Sequence, residues 1–292
     1  MFHDICVATF SFIPKPFALD ANADRMERYF RMAKRRGADL ALGPEEILDG
    51  YPVSAVLKGK IPPGAMRKAA VQITDPRIRR FKALARELKM CLAFGFAEAI
   101  GDEIFNCAIF IDHAGRLRGR YHKMLLAEGH EPRQWYNRVG SQSRAFNTPF
   151  GRGAFMICND RWNADLARIA VLDGASFFLI PSYGSKHRRQ DEAVLAIARQ
   201  NGVPVLEANC GLLLVVSKGE IVKRRRVDTG MAVATMAIPA PPSVQNRDLH
   251  EKHFLQWRRH ELTRRYRKRI RNPRTYAAGT MAAGKEMGKK GK

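Results

Sequence analysis

Three short segments of this chain place a chemically capable residue where an apolar run stops. The first reads Leu40-Ala41-Leu42-Gly43-Pro44-Glu45. A carboxylate just after a buried strand is partly desolvated, which raises its pKa and suits it to act as a base. The second is Gly119-Arg120-Tyr121-His122-Lys123-Met124-Leu125. A lysine held inward among apolar neighbours is a fixed positive charge, suited to stabilising an oxyanion. The third is Phe155-Met156-Ile157-Cys158-Asn159-Asp160-Arg161. Here Cys158 leaves a strand at a sharp turn ahead of a helix, and a helix N-terminus and a nearby lysine both favour the thiolate, the reactive form. Taken singly, each segment also fits an ordinary role: an acidic first helical turn, a lysine snorkelling to the surface, a buried cysteine.

The elements that must position these residues alternate along the chain. Residues 5–10 read as a first β-strand, followed by a helix over 20–36 with Met26, Tyr29, Phe30 and Ala33 on one face. Residues 39–42 form a short strand leading to Glu45, and residues 76–89 form a second helix with an apolar stripe through Ile78, Phe81, Leu84 and Leu88. Strands follow over 91–99, 104–111, 117–122 and 154–157, then a helix over 163–173, a strand over 177–181 and a helix over 191–201. Further strands cover 203–208, 212–217, 220–224 and 231–238. This order predicts an α/β domain over residues 1–246, with helices covering a buried sheet system and ligand sites at strand ends. Beyond Pro239-Ala240-Pro241-Pro242, the residues Leu255, Leu262, Tyr266 and Ile270 share one helical face, so residues 247–271 read as a basic arm helix lying on the body or on a second subunit. Residues 272–292 are rich in Gly, Ala and Lys and are expected to be disordered.

Composition bounds the function further. The formal charge is +23, and residues 247–292 hold 15 Lys and Arg against 4 Asp and Glu. Such a segment has the charge to contact nucleic acid or an anionic surface weakly, although a solvated helix explains it as well. No apolar run is long enough to span a membrane, and the N-terminal residues lack a signal-peptide pattern, so a cytoplasmic protein is expected. Cys6, Cys91, Cys107, Cys158 and Cys210 are scattered, with no CxxC pair and no Cys/His zinc spacing. Neither a disulfide framework nor a metal site is expected, and with no phosphate-binding Gly loop no cofactor is expected either.

In order and spacing, the three segments together resemble the nitrilase, or carbon–nitrogen hydrolase, superfamily. The resemblance rests on Pro44-Glu45 followed by Gly50-Tyr51, on Gly119 to Lys123, and on Ile157-Cys158-Asn159-Asp160-Arg161; Phe105-Asn106-Cys107-Ala108, Gly174-Ala175 and Pro181-Ser182 extend it. It implies a four-layer αββα sandwich with a C-terminal arm helix, usually in a homo-oligomer. It also implies roles: Cys158 as nucleophile, Glu45 as general base, Lys123 as oxyanion stabiliser, and the Asn159 backbone N–H as second oxyanion donor. A second glutamate follows the family's lysine, for which Glu131 is the better match and Glu128 the poorer. Within the superfamily, Ile157 to Arg161 is similar to the nucleophile segment of N-carbamoyl-D-amino-acid hydrolases, which implies that Arg161 binds a substrate carboxylate. The continuation Trp162-Asn163-Ala164-Asp165 and His122, where arginine is common, depart from that pattern. The implied activity is hydrolysis of a non-peptide C–N bond, in an amide or N-carbamoyl group, through a thioester. Alternatives are an aliphatic or ω-amidase, a nitrilase, a basic nucleic-acid or anionic-surface binding protein, and an inactive scaffold.

Overall fold

The structure, a computed structural model, describes residues 2–184 and 187–270, the side chains of 269 and 270 excepted. In chain order, the first half comprises β1 (Phe2–Ser11), α1 (Leu19–Arg35), β2 (Leu40–Leu42), α2 (Val53–Leu57), α3 (Pro76–Leu88), β3 (Cys91–Ile100), β4 (Glu103–Ile111) and β5 (Leu117–His122). The second half comprises β6 (Phe146–Thr148), β7 (Gly151–Phe155), α4 (Ala164–Leu172), β8 (Phe177–Tyr183), α5 (Arg188–Asn201), β9 (Val205–Cys210), β10 (Leu212–Ser217), β11 (Glu220–Arg225), β12 (Gly230–Pro239) and α6 (Asp248–Ile270). One six-stranded sheet has the order β12-β1-β2-β3-β4-β5, and a second has β11-β10-β9-β8-β7-β6.

The period-2 alternation of β1 explains how the layers stack. Ile5 and Val7 point between the sheets, where they meet residues such as Phe155, Ile157, Phe178 and Leu206. Ala8 and Phe10 point the other way, onto Met26 and Phe30 of α1 and Phe81 of α3. On the far side, Leu166 and Ile169 of α4 and Val194 and Ile197 of α5 cover the second sheet. The result is the expected four-layer αββα sandwich. Strands β1, β2 and β3 run parallel, as do β7, β8 and β9. Their carboxyl ends therefore gather along one edge, where the loops carry Glu45 after β2, Cys158 after β7 and Tyr183 at the end of β8.

Helix α6 lies back on this body. Phe254 is fully buried in the main core, and Leu262 packs with Leu125 and Leu126 of the segment after β5. Arg258 donates to the Gly140 carbonyl at 2.7 Å, and the His130 N–H donates to the Leu262 carbonyl at 3.2 Å. The buried stripe thus includes Phe254 and the arginine stem of Arg258, which an apolar-only reading of the helix passes over. The side chain of Ile270 and the whole of residues 272–292 lie outside the described residues.

Gly129 is the closest point of this contact. Its φ is +80°, and a Cβ there would meet the Tyr266 amide nitrogen at 2.3 Å and the Leu262 carbonyl oxygen at 2.5 Å. Both neighbours are helix backbone and cannot swing aside. Gly129→Ala is therefore predicted to displace α6 and to destabilise the fold by at least ~1–3 kcal/mol, the strain of a non-glycine residue in this region alone. Thermal unfolding with hydrogen exchange across α6 checks this; unchanged protection in the helix would refute the contact.

Candidate active site

The loop after β2 is folded tightly against its sheet. Gly95 on β3 makes this possible, because a Cβ there would meet the Glu46 amide nitrogen at 2.7 Å and the Glu45 Cα at 2.8 Å. Glu46 itself adopts a left-handed φ of 44°. Glu45 ends up with no exposed surface. Its Oε1 accepts from Lys123 Nζ at 2.6 Å and from Asn106 Nδ2 at 2.7 Å, while its Oε2 is buried with no protein partner. One oxygen of the carboxylate is thus anchored and the other is unpaired.

Lys123 follows β5 and is 1% exposed. Burial works against its charge, but the charges of Glu45, Cys158 and Glu128 prevail and hold the ammonium above its ordinary pKa. It therefore remains a cation at any pH relevant to catalysis. Removing either member of a buried pair like this one typically costs about 3–5 kcal/mol, because the other charge is left uncompensated.

Cys158 sits in a strained turn with φ of 46°. The turn is shaped by Asp160, which is fully buried: Oδ2 accepts from the Ile157 N–H at 2.9 Å and from the Tyr121 hydroxyl at 2.8 Å, and Oδ1 accepts from the Leu125 N–H at 2.7 Å. Burial pushes the Asp160 carboxyl up to about 6. Sγ of Cys158 lies 3.8 Å from the Tyr183 carbonyl. Part of the residue remains open, yet burial pushes its thiol up to about 11; the Glu45 charge adds to this, and Lys123 and Arg161 oppose it. The expected pull of a nearby lysine toward the thiolate is present, but burial outweighs it. A single turn, Cys158–Trp162, follows the cysteine before α4 begins at Ala164. Burial together with the Glu45 carboxylate outweighs the nearby cations, which favours the thiol over the thiolate.

The remaining candidates fall into different surroundings. Asn159 holds the segment after β5 by donating from Nδ2 to the Leu125 carbonyl at 3.0 Å, and as a first-turn residue its N–H has no acceptor within the turn. Arg161 does not face an open pocket. Its side chain has no exposure; Nε donates to the Cys158 carbonyl at 2.7 Å, while the other nitrogens bind Glu207 and Ser182 Oγ. Its charge is already compensated by Glu207, which leaves a substrate carboxylate no vacancy there.

Of the two glutamates after Lys123, the structure brings Glu128, not Glu131, to the site. Glu128 is buried, is bonded by Asn137 Nδ2, and adds to the field at Lys123, Glu46 and Tyr51. Glu131 is partly exposed, and its charge acts on Tyr266 of α6. The sequence reading quoted Asn106, Tyr51 and Asp160 within matching segments but gave them no role, and it passed over Glu207. Tyr51 stacks on Tyr183 with centroids 4.2 Å apart and planes within 5°. Polar residues inside otherwise apolar strands, Asn106 in β4 and Glu207 in β9, were the available signal.

The family description "Carbon-nitrogen hydrolase" matches residues 6–213. A bifunctional nitrilase/nitrile hydratase of Lupinus angustifolius is 27% identical over 198 residues, covering 65% of this chain and 56% of that protein. An N-carbamoylputrescine amidase of Oryza sativa subsp. japonica is 28% identical over 163 residues, covering 55% of this chain and 52% of that protein. The matched region thus spans a little over half the length of these curated relatives. Among solved structures, a double mutant of the amidase from Nesterenkonia sp. AN1 in complex with acrylamide is similar in fold. It has a TM-score of 0.69 at 20% identity, covering 90% of this chain and 97% of that one. The chain belongs to the carbon–nitrogen hydrolase family.

A second group of buried acids surrounds Glu45. Burial, above all, pushes Asp49 up to about 8, and the Glu45 charge adds to it. A carboxyl raised above its ordinary 3.8 in the folded state contributes stability below that value and loses it as pH rises through the folded value. Asp49→Asn retains an oxygen for the Ala97 N–H, which Asp49 Oδ1 accepts at 2.7 Å. The substitution is predicted to flatten the fall in Tm between pH 4 and pH 8 and to leave the variant more stable at pH 8, by roughly 2–4 °C for each ~1 kcal/mol recovered. Calorimetry across that range checks it, and an unchanged pH profile would count against a buried, raised Asp49.

Proposed function

We propose that this chain hydrolyses a non-peptide C–N bond, in a primary amide or an N-carbamoyl group, through a thioester on Cys158. The observation that carries this reading is the divided Glu45 carboxylate, with Oε1 fixed by Lys123 and Asn106 and Oε2 free. Glu45 Oε2 takes the proton from Cys158 Sγ as the sulfur attacks the substrate carbonyl. The Lys123 ammonium and the Asn159 N–H stabilise the oxyanion. The C–N bond breaks as Glu45 returns its proton to the departing nitrogen, releasing ammonia or an amine. Glu45 then deprotonates a water that attacks the thioester, and collapse of that adduct gives the acid and regenerates the thiol. Glu128 takes the role of second glutamate, its charge adding to the field at Lys123.

The amide and carbamoyl reading is supported by the similarity to N-carbamoylputrescine amidases, and the similarity to nitrilases makes a nitrile the alternative electrophile. An ammonia-release assay with a primary amide, an N-carbamoyl amine and an aliphatic nitrile separates these. Cys158→Ala is predicted to abolish release, and Glu45→Gln to reduce kcat by about 10²–10⁴, the usual contribution of a general base. Iodoacetamide labelling gives the opposite reading of the same pair. In the wild type, the Cys158 rate should rise steeply above pH 9, and in Glu45→Gln its inflection should fall, because the negative charge that opposes the thiolate is gone. A wild-type inflection below pH 7 would show a preformed thiolate and contradict the base role.

Arg161 is assigned a positioning role, fixing the Cys158 carbonyl and thereby the turn. Arg161→Lys cannot reproduce the three-way fork. It is predicted to lower kcat by about 10²-fold, the effect of a displacement near 1 Å, with KM little changed for carboxylated and neutral substrates alike. A selective rise in KM for carboxylates, with kcat retained, would instead make Arg161 a substrate ligand.

A further inference from the structure

The two groups that anchor Glu45, Asn106 and Lys123, each adjoin a residue that turns to the opposite face of the sheet. Those residues are Cys107 and His122, which are register partners on β4 and β5. On β3, the partner of Cys107 is Phe96, and Glu98 lies two residues further along the same face. Strand geometry thus gathers a carboxylate, a thiol and an imidazole from three neighbouring strands, with one ligand atom of each within 4.8 Å of the others. The His122 ring is stacked on Phe105 at 4.4 Å, with Nε2 directed at Glu98 Oε2, 2.6 Å away. Arg120 Nε donates to the same oxygen at 2.8 Å, while Glu98 Oε1 is buried with no hydrogen-bond partner. The His122 side chain is 21% exposed, against 1% for Glu98, so the cluster has an opening on the imidazole side.

We propose that Glu98, Cys107 and His122 bind one divalent transition-metal ion of the zinc type. A set of thiolate, imidazole and carboxylate selects such an ion over magnesium or calcium, which take oxygen ligands. On binding, the Cys107 thiol gives its proton to solvent and forms the metal–sulfur bond. His122 exchanges its hydrogen bond to Glu98 for a bond from Nε2, carrying its proton on Nδ1. The free Glu98 Oε1 becomes the third ligand, and Arg120 stays on Oε2 as the outer partner that orients the carboxylate. Zinc bonds of about 2.0–2.3 Å require the three atoms to close by roughly 1 Å, within the reach of small side-chain rotations. The fourth position is left to water. Such an ion would tie β3, β4 and β5 together directly behind Asn106 and Lys123. It also gives a use to His122, the departure from the family pattern that the hydrolytic site leaves unexplained.

The test uses the full chain with Cys158→Ser, so that the nucleophile cannot act as a ligand. After treatment with a chelator, Co(II) is titrated and followed by the thiolate-to-cobalt charge-transfer band. The expected result is one equivalent bound with that band, displaced by Zn(II), absent in Cys107→Ser, and weakened at least about tenfold in His122→Ala and Glu98→Gln. Circular dichroism confirms that each variant is folded; should Cys107→Ser fail that check, the His122 and Glu98 variants decide. A missing band up to millimolar Co(II), or a band that survives unchanged in the folded variants, overturns the assignment.

Discussion

The ion pair between Glu45 and Lys123, 2.6 Å long and almost wholly removed from solvent, is the constraint on which the rest of the site depends. Its two halves come from loops after β2 and β5, strands of one sheet separated by β3 and β4. Desolvating both charges is costly, and the geometry must offset that cost closely. Several otherwise unremarkable residues serve this end. Gly95 lets the Glu45 loop lie on the sheet, and Asn106 gives the carboxylate a second donor on the oxygen that Lys123 already holds. Glu128 adds a further negative charge near the ammonium.

Cys158 is positioned on the other sheet by different means. Asp160 collects the Ile157 and Leu125 amides and the Tyr121 hydroxyl, joining the turn after β7 to the segment after β5. Arg161 closes the turn from below through the Cys158 carbonyl, with Glu207 neutralising it. Asp160 thus ties the second sheet to the first, whereas the Arg161–Glu207 pair lies within the second sheet. Burial keeps the Cys158 thiol protonated, which makes a neighbouring base necessary for it to react. Helix α6 adds a third fixture by holding the Glu128 segment through Gly129, Leu262 and Arg258.

Much of this was legible in the sequence, and the exceptions have physical reasons. Apolar strand runs such as 104–111 and the helical stripe of 76–89 made the α/β order and the positions of Glu45, Lys123 and Cys158 at strand ends legible, while the four layers came from the family resemblance. The choice between Glu128 and Glu131 could not. Residues 124–145 contain no helix or strand, so no repeat fixes which side chain turns inward; Asn137 and the contact with α6 decide it. The partner of Arg161 is 46 residues away on β9, and a sequence pattern at positions 157–161 cannot report a pairing across strands. The same limit hides the convergence of Glu98, Cys107 and His122, whose spacing along the chain resembles no ligand motif. At Cys158, burial, which local sequence does not display, outweighs the cations that the sequence placed near it.

The most direct test of the account is to trap the intermediate. The wild-type protein, turning over a substrate found by ammonia release, is quenched in acid, digested and mapped by mass spectrometry. The account predicts that the peptide containing Cys158 carries the substrate's acyl group as a hydroxylamine-sensitive thioester, absent when substrate is omitted. Turnover with no adduct on Cys158, or with the acyl group on another residue, would contradict a mechanism in which Glu45 activates this thiol.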